Sequence, residues 1–526
     1  MAKENVFDGR SISMVSDLSI DEQMYLYEKT RELKQAAMNK EDLSRFKIND
    51  PEMGVYLFFM ESSTRTKESF RNAGKFHNIK LNDFNAVSSS FSKHESITDT
   101  IKMLVGYSTR SMFIIRSKLE GVCTWLHYAI GEYTKKLGLK HPVFINAGDG
   151  KHEHPTQEFL DEFSFLEHLN WNRDHIHIAL VGDLFHGRTI HSKAEGLRVF
   201  HNVTVDLIAP EELSMPEYWI DKMASHEFRI RVFESIEEYL SQPQIASIWY
   251  FTRLQLERMG EEVLKKADFL RNSVTFQKRF IDRVPKDTKF YHPLPRHRDY
   301  PTIPAFLDFT SLNGWDEQSV NGYYTRIIEI GMLGAKLGSD FKGKGLKQEE
   351  YTDDFIKEGK IHDSPVQEYK VGIKPVQNGI VIDHIGRGET VEIIWDHINK
   401  IRRILQLNRV SSHGVFRSEH NGNYKGLISI PDIDDFDEKQ IKMLGAIAPG
   451  CTLNKIHKHT VYKKLRLKMP PRIYNFEEIS CKNESCVSHS SNSEQVTPEF
   501  LRSEASTFIC RYCEKEHTFQ EIWQDD

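Results

Sequence analysis

No apolar run in the chain approaches the roughly 18 residues that a membrane-spanning helix needs, and residues 1–19 contain no apolar segment of signal-peptide kind. Neither sign of charge dominates. Seventy basic residues face 76 acidic ones, a net charge of −6, and the charges are mixed rather than blocked, which gives no bulk attraction to nucleic acid or to an anionic membrane. Cysteine is scarce, six in 526 residues, and four of the six fall in the last tenth of the chain, which argues against a disulfide framework. Internal repeats and long low-complexity tracts are absent too. What is left is a soluble protein, expected in the cytoplasm, with no nucleic-acid or membrane partner and enough length for about three or four domains of about 150 residues.

The most informative stretch is Glu61–Phe70, read E-S-S-T-R-T-K-E-S-F. It follows the apolar, aromatic run Val55–Met60, a buried strand by pattern, and precedes a helical pattern from Lys67 to Phe76. At a strand-to-helix turn the first backbone N–H groups lack partners and the helix dipole favours an anion. Ser63, Thr64 and Thr66 add hydroxyl donors and Arg65 a fork that fits two phosphate oxygens. The same residues also suit a plain Ser N-cap with a solvated arginine.

Along the chain, residues 15–45 read as helical, Lys80–Val87 as a strand, Ser88–Glu95 as a polar loop and Ile97–Tyr107 as a helix. Met112–Ile115 and Pro142–Gly148 are further buried strands. From Thr156 a helix runs to about Leu169. Short parallel strands then follow at Ile176–Gly182, Val203–Ala209, Ile245–Thr252 and Lys289–Tyr291, before a closing helix at about Tyr323–Leu337. Alternation of this kind predicts two α/β domains with ligands at the carboxyl ends of the strands. Residues 338–367 carry no apolar periodicity and read as a linker. Beyond it, Tyr369–Ile385 is broken by the hairpin signal Asn378-Gly379. Ile394, Ile398, Ile401 and Leu405 mark a helix face, Glu438–Ala446 a second helix, and Leu427–Ile430 and Val461 add strands, which together predict a small antiparallel α+β domain.

Polar clusters follow the strands of the first 300 residues: Ser63–Thr66, Arg116, His154-Pro155-Thr156-Gln157, Asp183–Thr189 with Arg188, Thr252-Arg253-Leu254-Gln255, and His292-Pro293-Leu294-Pro295-Arg296. Singly, Arg116 is equally a structural ion pair and His154 a capping residue. In the tail, Cys481-x4-Cys486, a gap of 23 residues and Cys510-x2-Cys513 offer two close pairs of thiolates, which suit a tetrahedral, structural Zn²⁺.

Taken in order, six motifs, Ser63-Thr64-Arg65-Thr66 with Ser69-Phe70, Asn146-Ala147-Gly148-Asp149-Gly150, His154-Pro155-Thr156-Gln157, Val181-Gly182-Asp183-Leu184 with Gly187-Arg188-Thr189, Thr252-Arg253-Leu254-Gln255 and His292-Pro293-Leu294-Pro295-Arg296, resemble the aspartate carbamoyltransferase family. Residues Tyr369–Trp523, with Val381–Ile385, Cys486–His489 and Cys510–Lys515, resemble the regulatory chain of the same enzyme. The resemblance implies a fold of two parallel-sheet α/β domains, then an α+β ferredoxin-like regulatory domain and a small zinc-binding β domain. The expected bounds are 1–155 with 312–337 for carbamoyl phosphate, 156–311 for aspartate, 368–466 for the effector-type domain and 467–526 for zinc. It also implies roles. Ser63, Thr64, Arg65 and Thr66 would hold the phosphate; Thr66, Arg116 and His154 would polarise the carbonyl; Gln157 and the backbone at Pro293 and Leu294 would bind the carbamoyl amide. Arg188, Arg253 and Gln255 would bind the aspartate carboxylates, and Ser89 and Lys93 would reach in from a neighbouring subunit, making a trimer the smallest active unit. No cofactor is implied for catalysis. Asp383 and Lys464 match the effector-nucleotide pocket, but the second lysine of that pocket falls on Ser429, so weak or altered nucleotide control is expected. After Arg296 the chain reads His297-Arg298-Asp299-Tyr300-Pro301, a departure from the family pattern that leaves that loop's geometry open. Ornithine carbamoyltransferase is the nearest rival, though it would have Cys at Pro293, and a non-catalytic scaffold partner is the alternative outside enzymes.

Overall fold

The computed structural model describes residues 5–85, 95–256, 259–346, 354–361, 373, 376–407, 411–418, 422–433, 435–492 and 494–523. The chain divides into two compact units, residues 1–347 with 484–496, and 348–483 with 497–526.

In the first unit the continuous apolar runs become fully buried parallel strands, as both-face burial requires. Strands β1 (Met53–Phe59), β2 (Lys80–Asn85), β3 (Arg110–Ser117) and β4 (Val143–Asp149) form one sheet in the order β2-β1-β3-β4. Strands β5 (Ile176–Val181), β6 (Val203–Ile208), β7 (Arg229–Phe233), β8 (Ile248–Phe251) and β9 (Lys289–Tyr291) form a second, β7-β6-β5-β8-β9, also parallel. Strand β7 was not anticipated. It is an edge strand whose Arg229 and Arg231 alternate with Ile230 and Val232, so it shows no apolar run.

The strand order reverses between β1 and β3 in one sheet and between β5 and β8 in the other, and ligands bind at such switch points. The closing helix begins at Trp315, earlier than periodicity suggested, and ends at Leu333 against Gly334. It packs against the helices Ile20–Met38, Thr64–Phe76 and Pro155–His168. The last of these also packs on β4. Segment 484–496 is stitched to the same unit. Glu120 N donates to Ser485 O at 2.8 Å, Val487 N to Glu120 O at 2.9 Å, and the Glu494 carboxylate accepts from Ile97 N at 2.6 Å and from Thr98 Oγ1 at 2.8 Å.

The second unit carries the six-stranded sheet β10-β15-β14-β11-β13-β12, built from β10 (Ile356–Glu358), β11 (Gly379–Ile385), β12 (Ser412–Arg417), β13 (Tyr424–Pro431), β14 (Thr452–His457) and β15 (Thr460–Leu467). Every pairing in it is antiparallel. Helix Val391–Ile404 links β11 to β12 and helix Glu438–Ile447 links β13 to β14, which is the ferredoxin-like succession. β10 lies inside the stretch expected to be linker. Three residues paired on an edge need backbone bonds only, so no periodicity announced them. Most of the first arm of the expected hairpin, residues 369–372 and 374–375, falls outside the described residues. A last antiparallel sheet, β16 (Arg472–Tyr474), β17 (Glu499–Arg502), β18 (Thr507–Cys510) and β19 (Glu516–Thr518), closes the chain. Among the described residues no helix is long and apolar enough to cross a membrane.

Candidate active site

A cleft of about 840 Å³ opens at the carboxyl ends of both parallel sheets in the first unit. Ser63–Thr66, Arg116, His154, Gln157, Arg188, Arg253, Gln255, Pro293 and Leu294 all line it. Ser89 and Lys93 lie outside the described residues.

At one wall the helix Thr64–Phe76 starts directly after β1. Ser63 occupies its N-cap in extended backbone, φ −156° and ψ 98°, yet its side chain caps no N–H. Elsewhere the same residue types do cap: Ser19, Ser96, Ser235 and Thr390 each accept the third backbone N–H of their helices. The uncapped start at Ser63 therefore leaves its N–H groups, the positive end of the helix dipole and the Arg65 side chain facing the cleft, which is the arrangement for an anion. The helix is held from behind by Ser69 Oγ donating to Gly322 O at 3.1 Å and by the Arg326 guanidinium over the Phe70 ring.

The opposite wall is cationic. Arg116, at the end of β3, donates through Nη1 to Ala147 O at 2.9 Å. Arg188 donates to Gly150 O at 3.1 Å and lies 3.3 Å from the Glu61 carboxylate, which is 3.8 Å from Arg116 Nε. Both arginines close over Gly148, whose φ is +110°. That φ is what calls for glycine, and a Cβ there would also press on Arg188 Cζ at 3.0 Å and Arg116 Nη1 at 3.1 Å, so that the two guanidinium groups would have to give way. Gln255 is fixed by its N–H on Asp183 Oδ2 at 3.1 Å and by Nε2 on His186 O at 3.3 Å. Arg296 is spent on Asp308, at 2.5 and 3.2 Å, and so holds the loop after it. In that loop His297 Nδ1 accepts from the N–H groups of Asp299 and Tyr300. Seven of the lining side chains are Arg or Lys and one, Glu61, is a carboxylate. Such a cleft suits a ligand or ligand pair of several negative charges.

Comparison with known proteins agrees over the whole length. Residues 10–167 match the family model described as aspartate/ornithine carbamoyltransferase, carbamoyl-P binding domain, and 174–360 match its Asp/Orn binding domain. Residues 371–468 and 471–523 match the allosteric and metal binding domains of the aspartate carbamoyltransferase regulatory chain. Protein PyrBI of Thermotoga maritima is 53% identical over 524 residues, covering 98% of this chain and 99% of that protein.

The chain belongs to the aspartate carbamoyltransferase family.

Protein PyrBI of Treponema denticola is 52% identical over 99% of each chain. The aspartate carbamoyltransferase catalytic subunit of Methanobrevibacter smithii is 34% identical over 62% of this chain and 96% of its own. Among solved structures, Trypanosoma cruzi aspartate transcarbamoylase in complex with N-(phosphonacetyl)-L-aspartic acid superposes with a TM-score of 0.54 at 25% identity, covering 63% of this chain and 97% of that one. This carbamoyltransferase thus fuses a catalytic chain to regulatory-chain domains.

His154 of the carbamoyltransferase is buried, with its backbone N–H donating to Ser192 Oγ at 3.0 Å and its ring Nδ1 3.4 Å from Thr156 Oγ1. Burial first, then Arg116, Arg188 and Arg326, hold its pKa well below the usual histidine range. It is a neutral imidazole at neutral pH, able to donate one hydrogen bond and unfit to add charge. Gln157 Nε2 donates to Asp161 Oδ1 at 2.8 Å, which leaves its carbonyl oxygen for a ligand. His292 is also neutral, its pKa pushed down to about 3 by burial and by Arg296, Arg65 and Arg253. Its Nδ1 accepts Leu294 N–H at 2.8 Å, so the carbonyls at Pro293 and Leu294 are what that turn offers. Glu61, Gln318 and Arg326 line the cleft without having been singled out. For Glu61 the signal was its place at the head of the Ser63–Thr66 turn.

In the second unit Asp383 pairs with Lys425 at 2.9 Å. Ser429, Val381, Asn454 and Lys464 stand opposite one another across β13, β11, β14 and β15. Ser429 and Lys464 therefore share one row of the sheet, and Ser429 is buried. The thiols of Cys481, Cys510 and Cys513 are buried, free of disulfides and mutually within 4.8 Å, and Cys486, in segment 484–496 of the first unit, is likewise buried and free of a disulfide. Cys481 Sγ and Cys513 Sγ are 3.7 Å apart. That is about the S···S edge, ~3.8 Å, of a tetrahedron with metal–sulfur bonds of ~2.3 Å, and far beyond a disulfide's ~2.05 Å. His517 Nε2, 3.5 Å from Cys481 Sγ, is a neighbour of the cluster that spacing alone did not reveal.

Proposed function

We infer that the cleft carries the transfer of the carbamoyl group from carbamoyl phosphate to the α-amine of L-aspartate, giving N-carbamoyl-L-aspartate and phosphate, in pyrimidine biosynthesis. The observation that carries the reading is the uncapped start of helix Thr64–Phe76 facing a wall of arginines across one cleft. Ser63, Thr64, Arg65 and Thr66 take the phosphate; Thr66, Arg116 and His154 donate to the carbonyl oxygen. The carbonyl of Gln157 and those of Pro293 and Leu294 accept from the carbamoyl NH₂. Arg188, Arg253 and Gln255 hold the two carboxylates of aspartate.

The neutral α-amine forms a C–N bond at the carbonyl carbon while the C–O bond to phosphate breaks, and phosphate leaves with that electron pair. Charge develops on the carbonyl oxygen, where preorganised donors stabilise it; a neutral His154 donates without needing protonation. Among the described residues no side chain of the cleft is placed as general base, and the leaving phosphate takes the proton from the amine. Holding both reactants in line supplies much of the remaining acceleration. Ornithine would bring its α-ammonium into a cleft with one carboxylate, Glu61, already lying against Arg116 and Arg188.

The four thiolates of Cys481, Cys486, Cys510 and Cys513 hold a structural Zn²⁺, with no open position for catalysis. The working assembly is a trimer or a multiple of trimers, in which Ser89 and Lys93 of one chain serve the next chain's cleft; the family resemblance supports this. The proposed domains are 1–155 with 312–337, 156–311, a linker 338–367, 368–466 and 467–526, and a cytoplasmic setting fits six cysteines free of disulfides. Asp383 and Lys464 belong to an effector pocket with Ser429 in place of a second lysine, so nucleoside triphosphates shift the aspartate saturation curve weakly. The test is phosphate release by the purified full chain given carbamoyl phosphate with aspartate or with ornithine. Release with aspartate alone is expected, and no release with aspartate sinks the reading.

A further inference from the structure

The helix Pro155–His168 carries three carboxyl side chains that are fully buried: Glu158, Asp161 and Glu162. Asp161 is the hub. Its Oδ1 accepts from Gln157 Nε2 at 2.8 Å and from Gln318 Nε2 at 2.6 Å, while its Oδ2 accepts from the buried Lys193 ammonium at 2.9 Å. Lys193 is itself held by Glu158 at 2.5 Å and lies 4.4 Å from the Tyr250 ring centroid. Gln318 passes the constraint on, since its carbonyl accepts His292 N–H at 2.9 Å, and His292 in turn takes Leu294 N–H. One carboxylate thereby reaches both parts of the cleft that offer carbonyl oxygens, Gln157 on one side and the turn at Pro293 and Leu294 on the other.

The orientation follows from chemistry. A carboxylate paired with an ammonium only accepts, so both glutamines must turn their NH₂ groups toward Asp161 and their carbonyls away. Inverting Gln157 would set its carbonyl oxygen against the carboxylate. We propose that Asp161 is the positioning residue that fixes these acceptors, and through them the preference of the site for an acyl phosphate bearing NH₂ over one bearing CH₃. The inference rests on the carbamoyl-transfer reading above. A site whose acceptors are locked leaves them unpaired when the donor is missing, and that is where strong discrimination arises.

The test compares kcat/KM for carbamoyl phosphate with kcat/KM for acetyl phosphate, each with aspartate, in the full-length enzyme. In Asp161→Asn, the new amide must point its oxygen at Lys193 and its NH₂ at the two glutamines, which forces both to invert. The ratio is expected to fall by about tenfold or more. Glu158→Gln alters the same buried cluster without touching either glutamine, and its ratio stays within about twofold of wild type. Gln318→Leu severs only the branch to His292 and lowers the ratio by about threefold. It decides the matter if Asp161→Asn does not show the wild-type circular dichroism. A ratio unmoved in the folded variants, or moved equally by Glu158→Gln, overturns the proposal. If wild-type enzyme itself releases no phosphate from carbamoyl phosphate with aspartate, the carbamoyl-transfer reading falls instead.

Discussion

Replacing Arg65 with alanine separates the phosphate-cradle account from any structural role for that arginine. Arg65 is exposed at the mouth of the cleft and hydrogen-bonds no other described residue, unlike Arg296, which is tied to Asp308. Removing it should change folding stability by no more than about 0.5 kcal/mol, as for an ordinary surface substitution. Its fork suits two charge-assisted hydrogen bonds to phosphate oxygens at about 1.5–3 kcal/mol each, so about 3–6 kcal/mol of transition-state binding is at stake. At 1.4 kcal/mol per decade, kcat/KM for carbamoyl phosphate should fall by about 10²–10⁴. Steady-state phosphate release and thermal melting of the same preparation check both halves. A fall in kcat/KM of less than about tenfold refutes the cradle. A large drop in Tm would instead make Arg65 part of the scaffold.

Arg253→Ala should raise KM for aspartate by one to two decades while leaving the affinity for carbamoyl phosphate near wild type, measured by titrating one substrate at saturation of the other. Cys510→Ser should abolish the bound metal, from one zinc per chain by elemental analysis to none. It should also remove the cooperative melting of the last sheet while turnover persists; lost turnover with retained metal would contradict the structural role. Burial lifts Glu329 to about 8, with Arg326 pulling the other way. The native state then keeps a proton that the unfolded chain sheds above about 4.5, so this group's stabilising share is full at low pH and is lost as pH rises toward 8. Glu329→Gln, neutral in both states, should therefore gain in urea midpoint relative to wild type between pH 5 and 8, and a constant difference would refute the assignment.

Much of the first unit was legible in the chain because most of its strands are continuous apolar runs and its cleft-lining residues sit directly after them. What spacing could not decide was whether Ser63 caps its helix or leaves it open, since both outcomes use the same residues; only the side chain's direction separates them. The buried charges of helix Pro155–His168 were invisible for a different reason. Glu158, Asp161 and Glu162 look like a solvated face until Lys193, far along the chain, is folded against them. Strands β7 and β10 were missed because edge strands can be polar or very short. The clustered cysteines were plain from spacing, whereas His517 beside Cys481 and Glu61 beside the arginines needed the folded chain to show what they touch.

The central claim is that one cleft holds a phosphate at Ser63–Thr66 and a dicarboxylate at Arg188 and Arg253 at the same time. Calorimetric titration with N-(phosphonacetyl)-L-aspartate, which joins a phosphonate to an aspartate, tests it most directly. The account predicts one tight site per chain, weakened by about tenfold or more in Arg65→Ala and again in Arg253→Ala. Binding that survives either substitution unchanged would contradict it.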